Sequence, residues 1–292
     1  MQAFPESELI LNAHNRVYHL QLNGSEIADD VILVGDPGRV ETISNLFSSI
    51  EHKNAHREFV SHTGYFNQKR LTVLSTGIGP DNIDIVMNEL DAAVNIDPNT
   101  RQARQQIRTL NIYRLGTCGA LQEDLPINSV IASSAAIGLD GLLNFYAGAD
   151  SVLEPLLSEA FLSHFDYPSD LAYHYAVKAD DTLLKNLKGH THTGITLTAP
   201  GFYAPQGRQL RLKTALPHLH EQVQTFVFQD QRILNFEMET SALYGLGKLL
   251  QHRCLTVCVV IANRIRKEFS SNYQESVNQL IEKTLNSITH PL

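Results

Sequence analysis

Cysteine is scarce in this chain, with Cys118, Cys254 and Cys258 the three thiols among 292 residues. Three thiols, two of them in apolar runs, cannot build a disulfide framework, so a reducing cytoplasm is the expected compartment. Cationic residues are also in deficit. Lys and Arg number 23 against 31 Asp and Glu, a formal charge of −8. That balance argues against a non-specific nucleic-acid binder, which needs a basic surface. No stretch approaches the roughly 20 apolar residues of a membrane span. The opening MQAFPESELILNAHNR carries early acidic residues and no long apolar core, so no signal peptide is expected. Low-complexity linkers and internal repeats are missing too. What remains is an ordinary globular balance, 43% hydrophobic and 18% charged, long enough for one large α/β domain or two small ones. Without a linker, one domain over residues 1–292 is expected, with 1–17 as an N-terminal extension.

Short apolar, β-branched runs alternate with helical patterns. Val31 to Val34 reads as a buried strand ending at Gly35-Asp36-Pro37, followed by a helix from Arg39 to Phe47. Arg70 to Ser75 is a second strand, whose turn at Thr76 to Pro80 opens a helix from about Asn82 to Val94. Asn111 to Leu115 is a third strand, read as ending in a tight turn at Gly116. Ser129 to Ala135 and Gly194 to Thr198 are further strands, and Cys254 to Ala262 is the clearest buried one. Ser271 to Ser287 is an amphipathic closing helix. Strand–turn–helix units in this order predict an α/β fold with a largely parallel sheet, in which ligands collect at the carboxyl ends of strands. Residues 95–108 and 140–167 read as excursions from that pattern.

Three arginines then stand out by their frames: VGDPGR ending at Arg39, HREF around Arg57 and RLGTCG from Arg114, with STGIGPDN (Ser75 to Asn82) between the last two. Guanidinium groups make permanent, bidentate contacts to phosphate oxygens, and glycines let backbone N–H groups approach the same anion. Together they predict a site for a compact oxyanion. Taken singly each has a plainer reading. Arg39 could cap a helix or pair with Asp36, and Arg57 could sit on an exposed strand.

A second constellation is FEMETSAL, in which Glu237 and Glu239 flank Met238. A carboxylate can accept from two vicinal ribose hydroxyls and a thioether packs against a sugar face. The alternatives are first-turn helix carboxylates or an acid/base pair, though i, i+2 spacing is poor for flanking a glycosidic bond. The third is GFYAPQGR, where Phe202 offers a face, Gln206 a paired donor and acceptor, and Arg208 fixed donors for a planar heterocycle. Its bland reading is a Gly/Pro-rich surface loop. The pairs His190/His192 and His218/His220 invite a metal, but no nearby ligands complete a set. Cys254 and Cys258 read as core.

With these motifs in order (VGDPGR, HREF, STGIG, RLGTCGAL, F-x-x-x-Q-x-R, FEMETSAL and VIANR), the chain resembles the nucleoside phosphorylase-I family, and within it the uridine phosphorylases most closely. The resemblance runs from about Tyr18 to the C-terminal helix. It implies a single-domain α/β/α sandwich with a central mixed, partly barrel-like sheet. It implies phosphate bound by Gly35, Arg39, Arg114, Gly116 and Thr117, with Arg57 contributed by a neighbouring subunit. It implies ribose held by Glu239 over Met238, assisted by Glu237, with His19 crossing the interface. Phe202, Gln206, Arg208, Ile261, Ala262 and Arg264 would meet the base. Arg114, Arg208 and Glu239 would carry catalysis, with inorganic phosphate as co-substrate and no cofactor or catalytic metal. Relatives place a structural monovalent cation, K+ or Na+, at positions matching Glu58, Ile78 and Asn82. Asn263 stands where purine-cleaving relatives carry a protonating aspartate, which favours uridine and uracil over purines. Purine or broad-specificity phosphorolysis and a non-catalytic nucleoside binder remain the alternatives. The partner is a second copy, as a homodimer sharing active sites, with a hexamer also open; no nucleic acid or membrane is implied. Asp81 and Asn82 depart from the family's usual small residues.

Overall fold

The computed structural model describes residues 3–187 and 191–289. Strand β1 (Asp30–Val34) is wholly buried and delivers the chain to Asp36, whose side chain accepts from the Gly38 N–H and so caps α1 (Pro37–Ser44). Pro37 starts that helix where a missing N–H costs nothing. The chain then makes an antiparallel meander, β2 (Ser49–His56), β3 (Phe59–Phe66) and β4 (Lys69–Ser75), and enters α2 (Pro80–Asn95). The 95–108 excursion folds into a small hairpin, β5 (Ile96–Asp97) with β6 (Gln102–Ala103). Next come β7 (Asn111–Ala120) and β8 (Val130–Gly138).

The 140–167 excursion holds two 3-10 turns and α3 (Pro155–His164). It leads to β9 (Tyr175–Lys178), α4 (Asp181–Asn186) and β10 (His192–Thr198). The remainder is α5 (Leu219–Thr225), β11 (Val227–Phe228), β12 (Gln231–Glu237), α6 (Thr240–Leu249), β13 (Arg253–Asn263), β14 (Glu268–Phe269) and α7 (Tyr273–Thr289).

Among the described residues twelve strands form one sheet, and five of them close on themselves. From β7 the order runs through β13, β8, β10 and β12, and β12 returns to pair with β7 at Asn235 with Ala120 and Phe236 with Gly119. From the same β7 the sheet continues flat through β1, β4, β3 and β2. The α/β fold with a mixed, partly barrel-like sheet is therefore as expected. The sheet is not largely parallel, however. The pairs β1–β4, β1–β7, β7–β13, β8–β10 and β10–β12 are parallel, but closure uses the antiparallel pairs β8–β13 and β7–β12.

A second correction concerns Gly116. It is no turn. β7 runs through Gly116 to Ala120 and pairs with β13 throughout, with one register shift between Val260 and Ala262. Arg114 of the same strand and Cys258 of β13 fill the room over Gly116, and Arg264 and Arg208 that over Gly119, so a Gly-rich sequence marks crowding here, not chain reversal.

Closure splits the core. Val31, Ile32, Leu33, Ile112, Leu255 and Val257 pack with residues of α2, α6 and α7 in the larger cluster. Leu121, Ile137, Leu197 and Phe236 pack with Phe161 and Phe165 in a second. Cys118 and Cys258 share a third, smaller cluster, Cys254 belongs to the first, and all three thiols are free and buried. Among the described residues no helix is long and apolar enough to cross a membrane.

Candidate active site

The carboxyl ends of β1, β7, β12 and β13 open into one cavity of about 920 Å3. Its walls carry Gly35, Arg39, Arg114, Gly116 and Thr117 from the arginine frames, Glu237, Met238 and Glu239 from the carboxylate frame, and Phe202, Gln206, Arg208, Ile261, Ala262 and Arg264 from the aromatic loop and β13. Residues that lie more than two hundred positions apart in sequence thus meet where an α/β sheet is expected to bind ligands.

Arg114 organises the polar end. It is buried on β7, and its Nη2 pairs with Glu239 Oε2 while its Nη1 lies 3.2 Å from Glu237 Oε2. Its Nη1 also donates to Cys258 Sγ at 3.5 Å, and its Nε is buried without a partner. A Cβ on residue 116 would fall 2.6 Å from Arg114 Nη1, so glycine is required for the guanidinium to lie across the strand. Burial opposes the Arg114 charge, but Glu239 and Glu237 outweigh it and hold its pKa above the ordinary arginine value.

Arg39 has no such partner. Its Nη1 makes one long 3.4 Å bond to Leu115 O, and among the described residues it forms no ion pair. Burial pushes its pKa down; Asp36 opposes that shift and Arg114 adds to it. A partly buried cation in that condition is stabilised by a bound anion.

The two carboxylates of FEMETSAL do different things. Glu237, the last residue of β12, accepts from Thr198 Oγ1 at 2.6 Å, from the Glu239 N–H at 2.9 Å and from the Thr240 N–H at 3.0 Å. It therefore satisfies the open N–H groups at the start of α6. Glu239 sits two residues on, at the N-cap of α6, accepts from the Gly79 N–H at 2.8 Å and faces Arg114. Burial pushes the Glu239 carboxyl pKa up; Arg114 counters this, and Glu237 reinforces it. Met238 lies between them on the cavity wall.

The aromatic loop closes on itself. Arg208 Nη1 donates to Phe202 O at 2.7 Å and to Gln206 Oε1 at 2.5 Å, and its guanidinium carbon stacks 3.7 Å from the Phe202 ring centre. Gln206 is 3% exposed, whereas Phe202 is half open to solvent. Burial and then Arg264 push the Arg208 pKa down to about 10. Arg264 Nη1 is itself buried and unpartnered. Neither arginine forms an ion pair among the described residues, which makes this end of the cavity attractive to negative charge.

Asn263 lies on the cavity wall, but its amide is turned to backbone groups. Its Nδ2 donates to Gln122 O and Leu125 O, and its Oδ1 accepts from the Ile265 and Arg266 N–H groups. Its amide is fully engaged in holding the chain after β13.

His19 and Arg57 are not brought to this cavity within one chain. Arg57 is exposed at the β2–β3 turn with φ +56°, its guanidinium 5.8 Å from the Tyr18 ring, and Tyr18 lies edge-on to His19. The His19 Nδ1 contacts Glu89 at 2.6 Å. The two form one outward-facing group. Glu58 and Asn82 do come together, with Asn82 Nδ2 donating to Glu58 Oε1 at 3.3 Å, while Ile78 is largely exposed. A donor amide on the carboxylate leaves these side chains a poor acceptor set for a cation in one chain.

Several wall residues carried no signal of their own in the sequence: Lys267 and Phe269 beyond VIANR, and Cys118 within RLGTCG. His220 is a wall residue too, although in sequence it stood out only as half of a histidine pair. His218 instead pairs with Glu221 on the surface, and His190 lies outside the described residues. Among the described residues no group of three or more His, Cys, Asp or Glu could hold a metal.

A closed five-strand barrel with arginines, a buried Glu-Met-Glu and an aromatic loop around one cavity defines a class. A family model described as the phosphorylase superfamily matches residues 29–290, and the chain belongs to that family. Within it, the chain is 29% identical over 275 residues, 92% of this chain and 85% of the relative, to a uridine phosphorylase of Thermococcus kodakarensis. It is 28% identical over 273 residues to a DeoD-type purine nucleoside phosphorylase of Bacillus cereus, covering 92% of this chain and 97% of the relative. A crystal structure of a Trypanosoma brucei nucleoside phosphorylase, described as showing uridine phosphorylase activity, superposes with a TM-score of 0.87 at 28% identity, over 96% of this chain and 99% of that one.

Proposed function

We propose that this protein is a uridine phosphorylase, a pentosyltransferase that converts uridine and inorganic phosphate reversibly to uracil and ribose 1-phosphate. The observation that carries the reading is the meeting of Arg39 and Arg114, Glu239, and Gln206 with Arg208 around a single cavity. Relatives and a solved structure named for the same activity support it.

In this reading Arg39, Arg114 and Thr117, with the backbone at Gly35 and Gly116, hold phosphate against the anomeric carbon and turn a bimolecular attack into a positioned one. Arg114 is engaged with Glu239 in the unliganded pocket. Phosphate arrival draws the guanidinium toward the anion and frees Glu239 Oε2 to accept from the ribose hydroxyls, with Met238 beneath the sugar. Glu237 acts through the start of α6 and through Arg114, as a positioning residue.

As the glycosidic bond breaks, its electron pair moves onto the base and cationic character develops on the ribose. Bound phosphate stabilises the sugar, and Arg208 with Arg264 stabilises the departing uracil anion. No step here is routed through a cofactor or a metal, and the K+ or Na+ expected near Glu58, Ile78 and Asn82 has no part in it.

Base choice rests on Gln206 and Arg208, which match the O2, N3–H and O4 edge of uracil, and on Asn263. An aspartate in the Asn263 position would set one carboxylate oxygen against the Gln122 and Leu125 carbonyls, which disfavours the purine-protonating acid there. His19 and Arg57, outward-facing together, are proposed to complete the site of a second copy in a homodimer. Assaying cleavage of uridine, thymidine and inosine with and without phosphate tests the reading. Uracil and ribose 1-phosphate should form from uridine only with phosphate. Inosine turnover with none on uridine would overturn the base assignment, and nucleoside binding without cleavage would overturn the enzyme.

A further inference from the structure

Bonds inside the aromatic loop give it shape but do not fix where it sits. The Gln206 and Arg208 N–H groups both return to Tyr203 O, and the Arg208 side chain returns to Phe202 O and Gln206 Oε1. A bond from a separate element is different. His220, on α5, has its Nε2 3.0 Å from Gln206 O; a carbonyl only accepts, so the ring is the Nε2–H tautomer and donates. The same ring lies flush against Gly207, whose φ is +70° and whose added Cβ would fall 2.7 Å from that nitrogen. On its other side the imidazole leans toward Phe236 at 6.4 Å. His220 thus grips the turn between the two residues that would read the base.

We propose that His220 is a positioning residue for base recognition, setting Gln206 and Arg208 at the pyrimidine edge through its bond to the Gln206 carbonyl. The proposal rests on the uridine phosphorylase reading. Burial, with Arg264 and Arg208 nearby, pushes the imidazole pKa down against the raising effect of the Gln206 bond. The ring is therefore neutral at physiological pH and adds no third charge to the arginine pair. Gln206 and Arg208 act on the base alone, so the role predicts a loss confined to the nucleoside side of the reaction. Displacement of such groups by about 1 Å can cost up to 100-fold in rate, and one unmade bond to a buried carbonyl is a milder insult.

The test compares His220→Phe, which keeps a ring against Gly207 but has no donor, with His220→Gln, whose amide nitrogen can reach the same carbonyl. KM and kcat are measured for uridine and for phosphate, with the melting temperature of each variant. The Phe variant should raise the KM for uridine about tenfold and leave the KM for phosphate within twofold, and the Gln variant should recover most of the loss. A uridine KM unchanged in the Phe variant overturns the proposal. So does an equal rise in both KM values with no rescue by Gln, which would make the residue merely structural. If the Phe variant does not fold, Gly207→Ala, which drives a methyl onto the ring, should give the same split, and its failure to do so counts equally against the idea. If the wild type cleaves no uridine at all, the functional reading falls first and takes this proposal with it.

Discussion

Arg39 and Arg114 have the same chemistry and opposite circumstances, and substitution should separate them. Arg114 neutralises two buried carboxylates, so Arg114→Ala leaves Glu237 and Glu239 uncompensated, a change that typically costs about 3–5 kcal/mol. It should also lower kcat/KM on the order of 100- to 1,000-fold, the usual effect of losing a preorganised donor. Arg39 has no ion pair to lose. Arg39→Ala should therefore raise the phosphate KM at least about tenfold while leaving the melting temperature unchanged or slightly higher. Thermal melts beside phosphate titrations check both, and a large destabilisation from Arg39→Ala would refute the contrast. The frames around both residues were legible in sequence because the Arg and Gly residues in each lie at short range. What could not be read was that Glu237 bonds to Thr198 and to the first N–H groups of α6, because those partners are chosen by packing. Asn263 was read by what it cannot do as an acid; its actual work, four bonds to backbone groups, has no local signature.

At the scale of elements, Glu237 links β12 to α6, and through Thr198 and the Ser241 N–H to β10. Ser241 Oγ and Tyr175 OH in turn donate to Asp140 at 2.8 Å, which ties in the start of the 140–167 excursion. Glu237→Gln places an amide donor among N–H groups and beside Arg114. It should cost about 1–3 kcal/mol, the penalty of leaving buried partners unsatisfied, and lower kcat without selectively raising the KM for either substrate. Calorimetry with steady-state kinetics decides it, and a rise in uridine KM alone would return Glu237 to direct ribose contact.

The segment bearing His19 is held similarly. Arg16 pairs with Glu26, and the His19 and Leu20 N–H groups donate to Glu89. Burial raises the Glu26 pKa, but its bond to Arg16 and to the Asn23 N–H prevail and leave it below the ordinary carboxylate value. A lowered folded value means that this stabilisation is full above about pH 4.5, the unfolded value, and fades as pH falls through the folded one. Amide protection factors in residues 16–26, taken relative to the intrinsic exchange rate at each pH, should fall below pH 4 in the wild type, and already at neutral pH in Arg16→Ala. Equal protection in both at pH 7 would dismiss the clamp. The helix after Gly35-Asp36-Pro37 was readable, though from Arg39 and so two residues past its start at Pro37. The β2–β3 hairpin was not, since its strand SIEHKNAH is polar and half exposed, and β7 was cut short because glycine reads as a turn.

The whole molecule raises the question that neither a chain's sequence nor its isolated fold answers from local features. Barrel closure joins residues near 120 to residues near 235, and no periodicity announces a contact that distant. The site assembled by that closure still lacks His19 and Arg57, which stand together on the outside with Tyr18. If the active unit is a dimer, each of these residues serves the neighbour's cavity and each cavity needs groups from both chains. Arg57→Ala and Arg114→Ala would then each abolish most activity as pure homodimers. In a hybrid dimer one of the two sites receives both defects and the other receives neither. Statistical exchange of equal amounts yields half hybrid dimers with one intact site apiece, so activity should return to about one quarter of wild type. The mixture is to be assayed after subunit exchange verified with differently tagged chains. Verified exchange without recovery would count against a site shared between two copies of the chain.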